Sequence, residues 1–535
     1  MSRPHSNSKA AFQFARRDFL RAAGMGALGS FISPIDPLNF QLFGQSGIPP
    51  LSLFATGMIL HGGLLSRETA TRRDFNSADP ILREVGVPVF PDPTKKFPLT
   101  SSVSIAMEPL ANFLRDNGNG KMVLNEILDH RWFEAGLIPY LNIFHNFYIP
   151  WYYGHGYAVV GSTLTGHNPN APKTGPHLSQ VVGQSPLYAP LINGGLRNPL
   201  LVNMDSARRF INRDNLNSDL EPVARVQRTG QVFQQTIGVL ENLASNGNVS
   251  GISRLLDEVR VLKSHDQVSP VDLLRLAAHE NRLISLLSSM GGCSLTAGLP
   301  SAPPAFKYTD WGQDLNGYRT EQAQLMASYM ARAARDCSRP LIVNMNPGHF
   351  VLEPTQFGGF HKEVVHRLSS RPPLDEALPR LQVMQDWVGK QMSRSVFELA
   401  LALKNTPTGD GKNLLDHSLI VIGFEAGTFT HNSRCLTLYT IGGAGGRLKC
   451  GFYVDATQPN QSYNYAGGIM NYPLMSPALN RKGLPFVNFL NTICRAAGLP
   501  PERYEVETGK GFFRYGHEAS PPILSSAVLS PILNI

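Results

Sequence analysis

Glu425 ends an apolar run, Ser418-Leu419-Ile420-Val421-Ile422-Gly423-Phe424, and is followed by Ala426 and Gly427. The stretch from Leu415 to Gly427 reads as a helix end, a buried strand, then an acidic residue and a glycine at the strand's carboxyl edge. A second patch, Gly348-His349-Phe350 and Gly358-Gly359-Phe360-His361-Lys362-Glu363-Val364-Val365-His366, lies between strand-like residues 341–345 and the next helix. A third, 135–172, has no Asp, Glu, Lys or Arg in 38 positions and contains His155. Imidazole and carboxylate groups converging at strand ends are the donor types that zinc and other first-row divalent metals take. Taken singly, a histidine in such a place is more often a hydrogen-bonded packing residue than a ligand.

Positioning such groups requires a sheet. Strand-like residues lie near 53–60, ahead of the loop His61-Gly62-Gly63, and at 157–161, 341–345, 418–424 and 436–441. Helical patterns alternate with the later ones, at Glu321–Arg335 and Leu381–Leu403. This alternation predicts an α/β fold, a mainly parallel sheet flanked by helices, with chemistry at the strands' carboxyl ends. Residues from about 230 to 292 read as helices that form an insertion or a covering layer, and Pro300–Pro304 as a linker or long loop. The division expected is a signal and linker at 1–48, an α/β domain at 49–520 with its helical insertion at about 230–300, and a C-terminal tail at 521–535. Prolines, asparagines and histidines within 135–172 rule out a membrane helix there, leaving a buried strand and a shielded aromatic-lined loop.

The segment around Glu425 resembles the stretch of the sulfatase and alkaline-phosphatase superfamily that delivers an Asp-His pair to a metal, with Glu425 in the Asp place and Ala426 in the His place. A closer resemblance is to two related families of bacterial, twin-arginine-exported domains of unknown function, numbered fifteen-oh-one and fifteen-fifty-two. These share a Glu-x-Gly step at this strand end and a histidine a few residues on, here His431. Gly442–Gly451 looks like their glycine-rich loop, Leu484–Pro501 like their closing helix, and His361 stands in the place of their loop histidine. Leu164-Thr165-Gly166-His167-Asn168-Pro169 resembles the motif that follows the sulfatase nucleophile, yet the nucleophile place falls on Gly156, next to His155. The resemblance implies an alkaline-phosphatase-like fold and a divalent metal such as zinc, held by His361, Glu425 and His431, with His155 assisting proton transfer. It further implies a metal-dependent hydrolase of phosphate or sulfate esters that works without the usual nucleophile. The alternative is a non-catalytic envelope or extracellular scaffold that binds a glycan or protein partner, since a fold does not confer activity.

Export is written at the start. Arg16-Arg17-Asp18-Phe19-Leu20-Arg21 opens a weakly apolar run from Ala22 to Ile35, the pattern of a twin-arginine address read by the twin-arginine translocation machinery. The run is too short and mild to span a bilayer permanently, so no transmembrane helix is expected in the mature chain, which would be periplasmic or secreted. The net charge of +8 concentrates there: Arg3, Lys9, Arg16, Arg17 and Arg21 against Asp18 leave +4 for the rest. That remainder gives no reason to expect nucleic-acid binding. Five cysteines form no C-x-x-C pair, and Cys435 and Cys450, which flank a strand and hairpin, are the first pairing to consider. Asp455–Asn480 has no charge beyond its first residue, and its Tyr463, Tyr465 and Tyr472 could stack on sugars, although a long surface loop is the plainer reading. Replacing Arg16 and Arg17 by Lys is expected to strand the protein in the cytoplasm. Fractionation of cells carrying that double variant checks this, and unchanged export refutes it.

Overall fold

The computed structural model describes residues 51–59, 96–125, 127–148, 178–183, 200–203, 248–264, 268–277, 279–280, 315–336, 341–345, 355–369, 373–408, 410–424, 436–458, 461, 482–505, 508, 512 and 526–534. Its frame is a sheet of ten strands: β1 (Leu53–Ile59), β2 (Lys96–Pro98), β3 (Ser104–Pro109), β6 (Leu141–Tyr148), β7 (Leu200–Asn203), β8 (Leu341–Met345), β9 (Ser418–Phe424), β10 (Leu436–Ile441), β11 (Phe452–Asp455) and β12 (Leu484–Pro485). A separate hairpin pairs β4 (Arg115–Asp116) with β5 (Met122–Val123). Across the large sheet the order is β2-β3-β11-β6-β10-β9-β1-β8-β7, with β12 pairing the far end of β6.

The sheet is mixed, and its core is mostly parallel. Strand β1 runs parallel to both β8 and β9, β7 to β8, and β11 to β6. Only β10 and β3 run against the rest. The mainly parallel sheet expected from the sequence holds for the core, with β10 reversed within it. Eleven residues separate Phe424 from Leu436, fewer than the dozen or more that a parallel crossover usually takes.

The central strands are apolar on both faces because helices cover both. Toward one face point Leu53, Ala55, Ile59, Ile420, Ile422 and Phe424, packed against helices Leu315–Asp336, Leu374–Gln391 and Phe397–Lys404. Toward the other point Phe54, Leu419, Val421 and Phe144, packed against helices Phe486–Ala496 and Leu178–Gly183. A π-helical turn, Met392–Val396, joins the helices Leu374–Gln391 and Phe397–Lys404. Residues 526–534 belong to the second layer: Leu529 and Ile532 are fully buried, and Leu529 N donates to Thr492 Oγ1 at 2.8 Å. Part of the stretch set apart as a tail is thus core. The described part of the 230–292 region is helical, at Asn248–Lys263 and at 270–277, and Glu280 links the two through Arg260 and Lys263. No helix among the described residues is long and apolar enough to cross a membrane. The expected strand at 157–161 lies outside them.

The glycine-rich loop after β10 is a packing device at the opposite edge from the one where β9 and β6 end. Gly442 N donates to Tyr140 O, and Gly445 N to Asp416 O. Gly442 has φ +101°, and a Cβ there would sit 2.4 Å from Ser418 O. Gly446, at φ +87°, faces open space. Gly442→Ala is therefore expected to cost about 3 kcal/mol or more, from strain and overlap together. Gly446→Ala, with strain alone, should cost about 1 kcal/mol. Denaturant midpoints of the two variants check the ranking, and equal losses would contradict it.

Candidate functional site at the carboxyl edge

Since β7, β8, β1, β9, β6 and β11 all run one way, their carboxyl ends share one edge of the sheet, where β10 begins. Two polar groups interrupt the apolar strands close to it. In the first, Thr56 of β1 shares a 2.8 Å hydroxyl hydrogen bond with Ser179, and its Oγ1 donates to Asn344 Oδ1 of β8 at 3.4 Å. All three side chains are buried. The register sets Thr56 beside Asn344, and Asn344 beside Asn203 of β7. Hydroxyls and an amide satisfy one another here without placing a net charge in the sheet.

The second group spans β10, β6, β11 and β3. His145 is opposite Asp455, and Tyr453 opposite Glu108, in the strand register. The His145 ring is stacked on Tyr453 at 6.3 Å and 17°, with Nδ1 3.4 Å from Thr437 Oγ1. Asp455 Oδ1 accepts from the Thr457 backbone N at 2.9 Å and from its hydroxyl at 2.6 Å, while Asn146 Nδ2 donates to Thr457 Oγ1 at 2.8 Å. Asn146 adopts φ +61°, and Gly483 lies so close that a Cβ there would overlap Asn146 O. Burial lowers the His145 pKa from 6.5 to about 3. Its imidazole is thus neutral at physiological pH, able to hydrogen-bond or lend a lone pair but not to act as a cation. Burial first, then Asp455, Tyr439 and Glu108, hold Tyr453 well above the ordinary phenol range.

Of the residues singled out in the sequence, His155, Glu425, His431, Arg16, Arg17, Phe19 and Leu20 lie outside the described residues. His361 falls in a π-helical turn, Phe360–His366, whose Phe360 stacks on Trp387 at 4.4 Å; its side chain is likewise outside them. Among the described residues, no three of His, Cys, Asp and Glu come together as a metal ion would require. Strand β9 ends at Phe424, the residue before Glu425, paired with Ile59 at the end of β1. Cys450 is a free thiol and its Sγ contacts Leu448 O, so the Cys435–Cys450 pairing is set aside. Six residues of β10, roughly 20 Å of extended chain, carry the backbone from Leu436 at the carboxyl edge to Ile441 at the other, toward Cys450. Burial, with the Asp416 charge, pushes the Cys450 thiol up to about 12.

Sequence reading missed His145, Asp455 and the Thr56–Ser179–Asn344 group. The signal available was polar residues set inside otherwise apolar strand segments, as in Leu141-Asn142-Ile143-Phe144-His145-Asn146-Phe147. Comparison with protein-family models, curated proteins and solved structures finds no match to this chain.

The buried neutral His145 sets a pH dependence. Between pH 6.5 and about 3 the unfolded chain binds a proton at this residue that the folded chain does not. Its contribution to stability is therefore complete above pH 6.5 and is lost as pH falls through that window. Replacing His145 by Gln should flatten the acid side of the stability profile relative to the parent by up to one proton. Denaturant unfolding at a series of pH values checks this, and parallel profiles would contradict it.

Proposed function

We propose that the chain is an exported protein of alkaline-phosphatase-like fold with a non-standard metal site at the carboxyl edge, acting on phosphate or sulfate esters. The observation that carries this reading is the parallel trio β9-β1-β8, whose carboxyl ends lie together, with β9 ending at Phe424 just before Glu425. Two imidazoles and a carboxylate, from His361, His431 and Glu425, make a donor set suited to zinc with one position left open. When bound, such an ion supplies Lewis acidity at the ester oxygen. Glu425 and the two histidines would hold and orient it, and His155 would move the proton that the departing alcohol needs. The buried Thr56–Ser179–Asn344 group keeps β1 and β8 fixed beneath that edge.

A second reading, a non-catalytic scaffold, draws on one observation. The described carboxyl end of β1, Thr56-Gly57-Met58-Ile59, has no carboxylate where the superfamily supplies metal-binding aspartates.

Elemental analysis and turnover of p-nitrophenyl phosphate and sulfate by the full chain, purified from its native export route, separate the two. The hydrolase reading expects about one zinc per chain, and a loss of metal affinity of about tenfold to a hundredfold or more in Glu425→Gln and His431→Ala, with turnover falling alongside. Protein that is metal-free and inactive on both esters, with unchanged variants, would leave the scaffold.

A further inference from the structure

We propose that helix Phe486–Ala496 and the stretch Gly446–Lys449 form a peptide-binding groove, with residues 526–534 as its resident ligand. The partner this surface fits is an uncharged extended peptide with the apolar spacing of Leu529, Ile532 and Leu533. Its glycine-loop wall lies at the edge opposite the proposed metal site, and it takes no metal.

The helix commits buried polar side chains to the segment's main chain. Asn488 Nδ2 and Asn491 Nδ2 both donate to Ala527 O, at 3.0 and 3.1 Å, and Thr492 Oγ1 accepts from Leu529 N at 2.8 Å. All three residues are at 1% exposure or less. Thr492 is itself aimed by donating to Asn488 O at 2.6 Å. From the other wall Lys449 Nζ donates to Pro531 O and Lys449 N to Ile532 O, both at 2.8 Å. Arg447 O accepts from Asn534 N at 2.8 Å, around an antiparallel bridge of Leu448 with Leu533. Among the segment's own side chains, Asn534 adds a bond from Nδ2 to Gly446 O at 3.1 Å.

Leu529, Ile532 and Leu533 are buried in the same layer as Leu448. Main-chain hydrogen bonds joined to places for spaced apolar side chains are how an extended peptide is recognised. Residues 526–534 carry no charged side chain, so a free peptide of that sequence brings no charge that must be stripped of water. Asn491 also accepts from Phe512 N at 2.9 Å, so one amide pins the chain where it leaves for 513–525 and, at Ala527, where it returns. The seat beyond that point is made by 526–534 alone. Covalent attachment then raises the segment's local concentration without adding a contact.

The test uses the full chain with a protease site in place of residues 516–522, cut after purification. Gel filtration with mass spectrometry is expected to find the cut end still bound. A fluorescein-labelled peptide of residues 524–535 should replace it saturably by anisotropy, at about 10 μM or tighter. The same peptide carrying Leu529→Asp and Ile532→Asp should bind at least about a hundredfold more weakly, and this change leaves the chain itself untouched. Thr492→Val in the chain, which takes the acceptor from Leu529 N, should weaken the labelled peptide by about tenfold. Should that variant fail to fold by circular dichroism, the peptide pair decides. Loss of the cut end with no labelled peptide bound at about 1 mM would overturn the proposal, whether or not the cut chain stays folded. So would equal binding of the two peptides, or parent affinity in folded Thr492→Val.

Discussion

Strand β1 is hydrogen-bonded on both sides, with Leu53 level with Leu341 of β8 and Ser418 of β9, and it is buried on both faces. A slip of one residue would turn Phe54 and Thr56 into the layer that holds Leu53 and Ala55, and the reverse, so the register is fixed from four directions at once. The rest of the molecule depends on that constraint. It sets Thr56 against Asn344, brings Phe424 level with Ile59, and through β10 carries the alignment to His145 and Asp455. The helical layers cover this ladder and add no second frame of their own.

How much of this was legible depends on the kind of signal. Strands β8, β9 and β10 were visible as short apolar runs and helices Leu315–Asp336, Leu374–Gln391 and Phe397–Lys404 as longer patterns, while Phe486–Ala496 was expected only through the family resemblance. A buried strand was expected within 135–172 and named at 157–161, and β6 lies there at Leu141–Tyr148, where Thr440, Thr437 and Thr457 meet the polar groups of Asn142, His145 and Asn146. The direction of β10 was hidden, because apolar alternation is the same read either way. The candidate site was legible as residue types near strand ends. Its buried supporting groups were not, since Thr56 and Asn344 are 288 positions apart and become neighbours only through the register.

Charge is distributed to match. Near the carboxyl edge, the described polar groups are mostly neutral amides, hydroxyls and an imidazole that burial keeps uncharged, with the carboxylates of Asp455 and Glu108 buried beside Tyr453. The groups proposed to move protons and hold a metal, His155, Glu425 and His431, stand in the sequence that follows β6 and β9.

The most direct measurement is a crystal structure of the full chain grown with zinc, with anomalous scattering recorded at the zinc edge. The account expects one peak beyond the end of β9, about 2 Å from the Glu425 carboxylate and from imidazole nitrogens of His361 and His431. Side-chain donors of those three residues more than roughly 10 Å apart, with no peak at the edge, would contradict it.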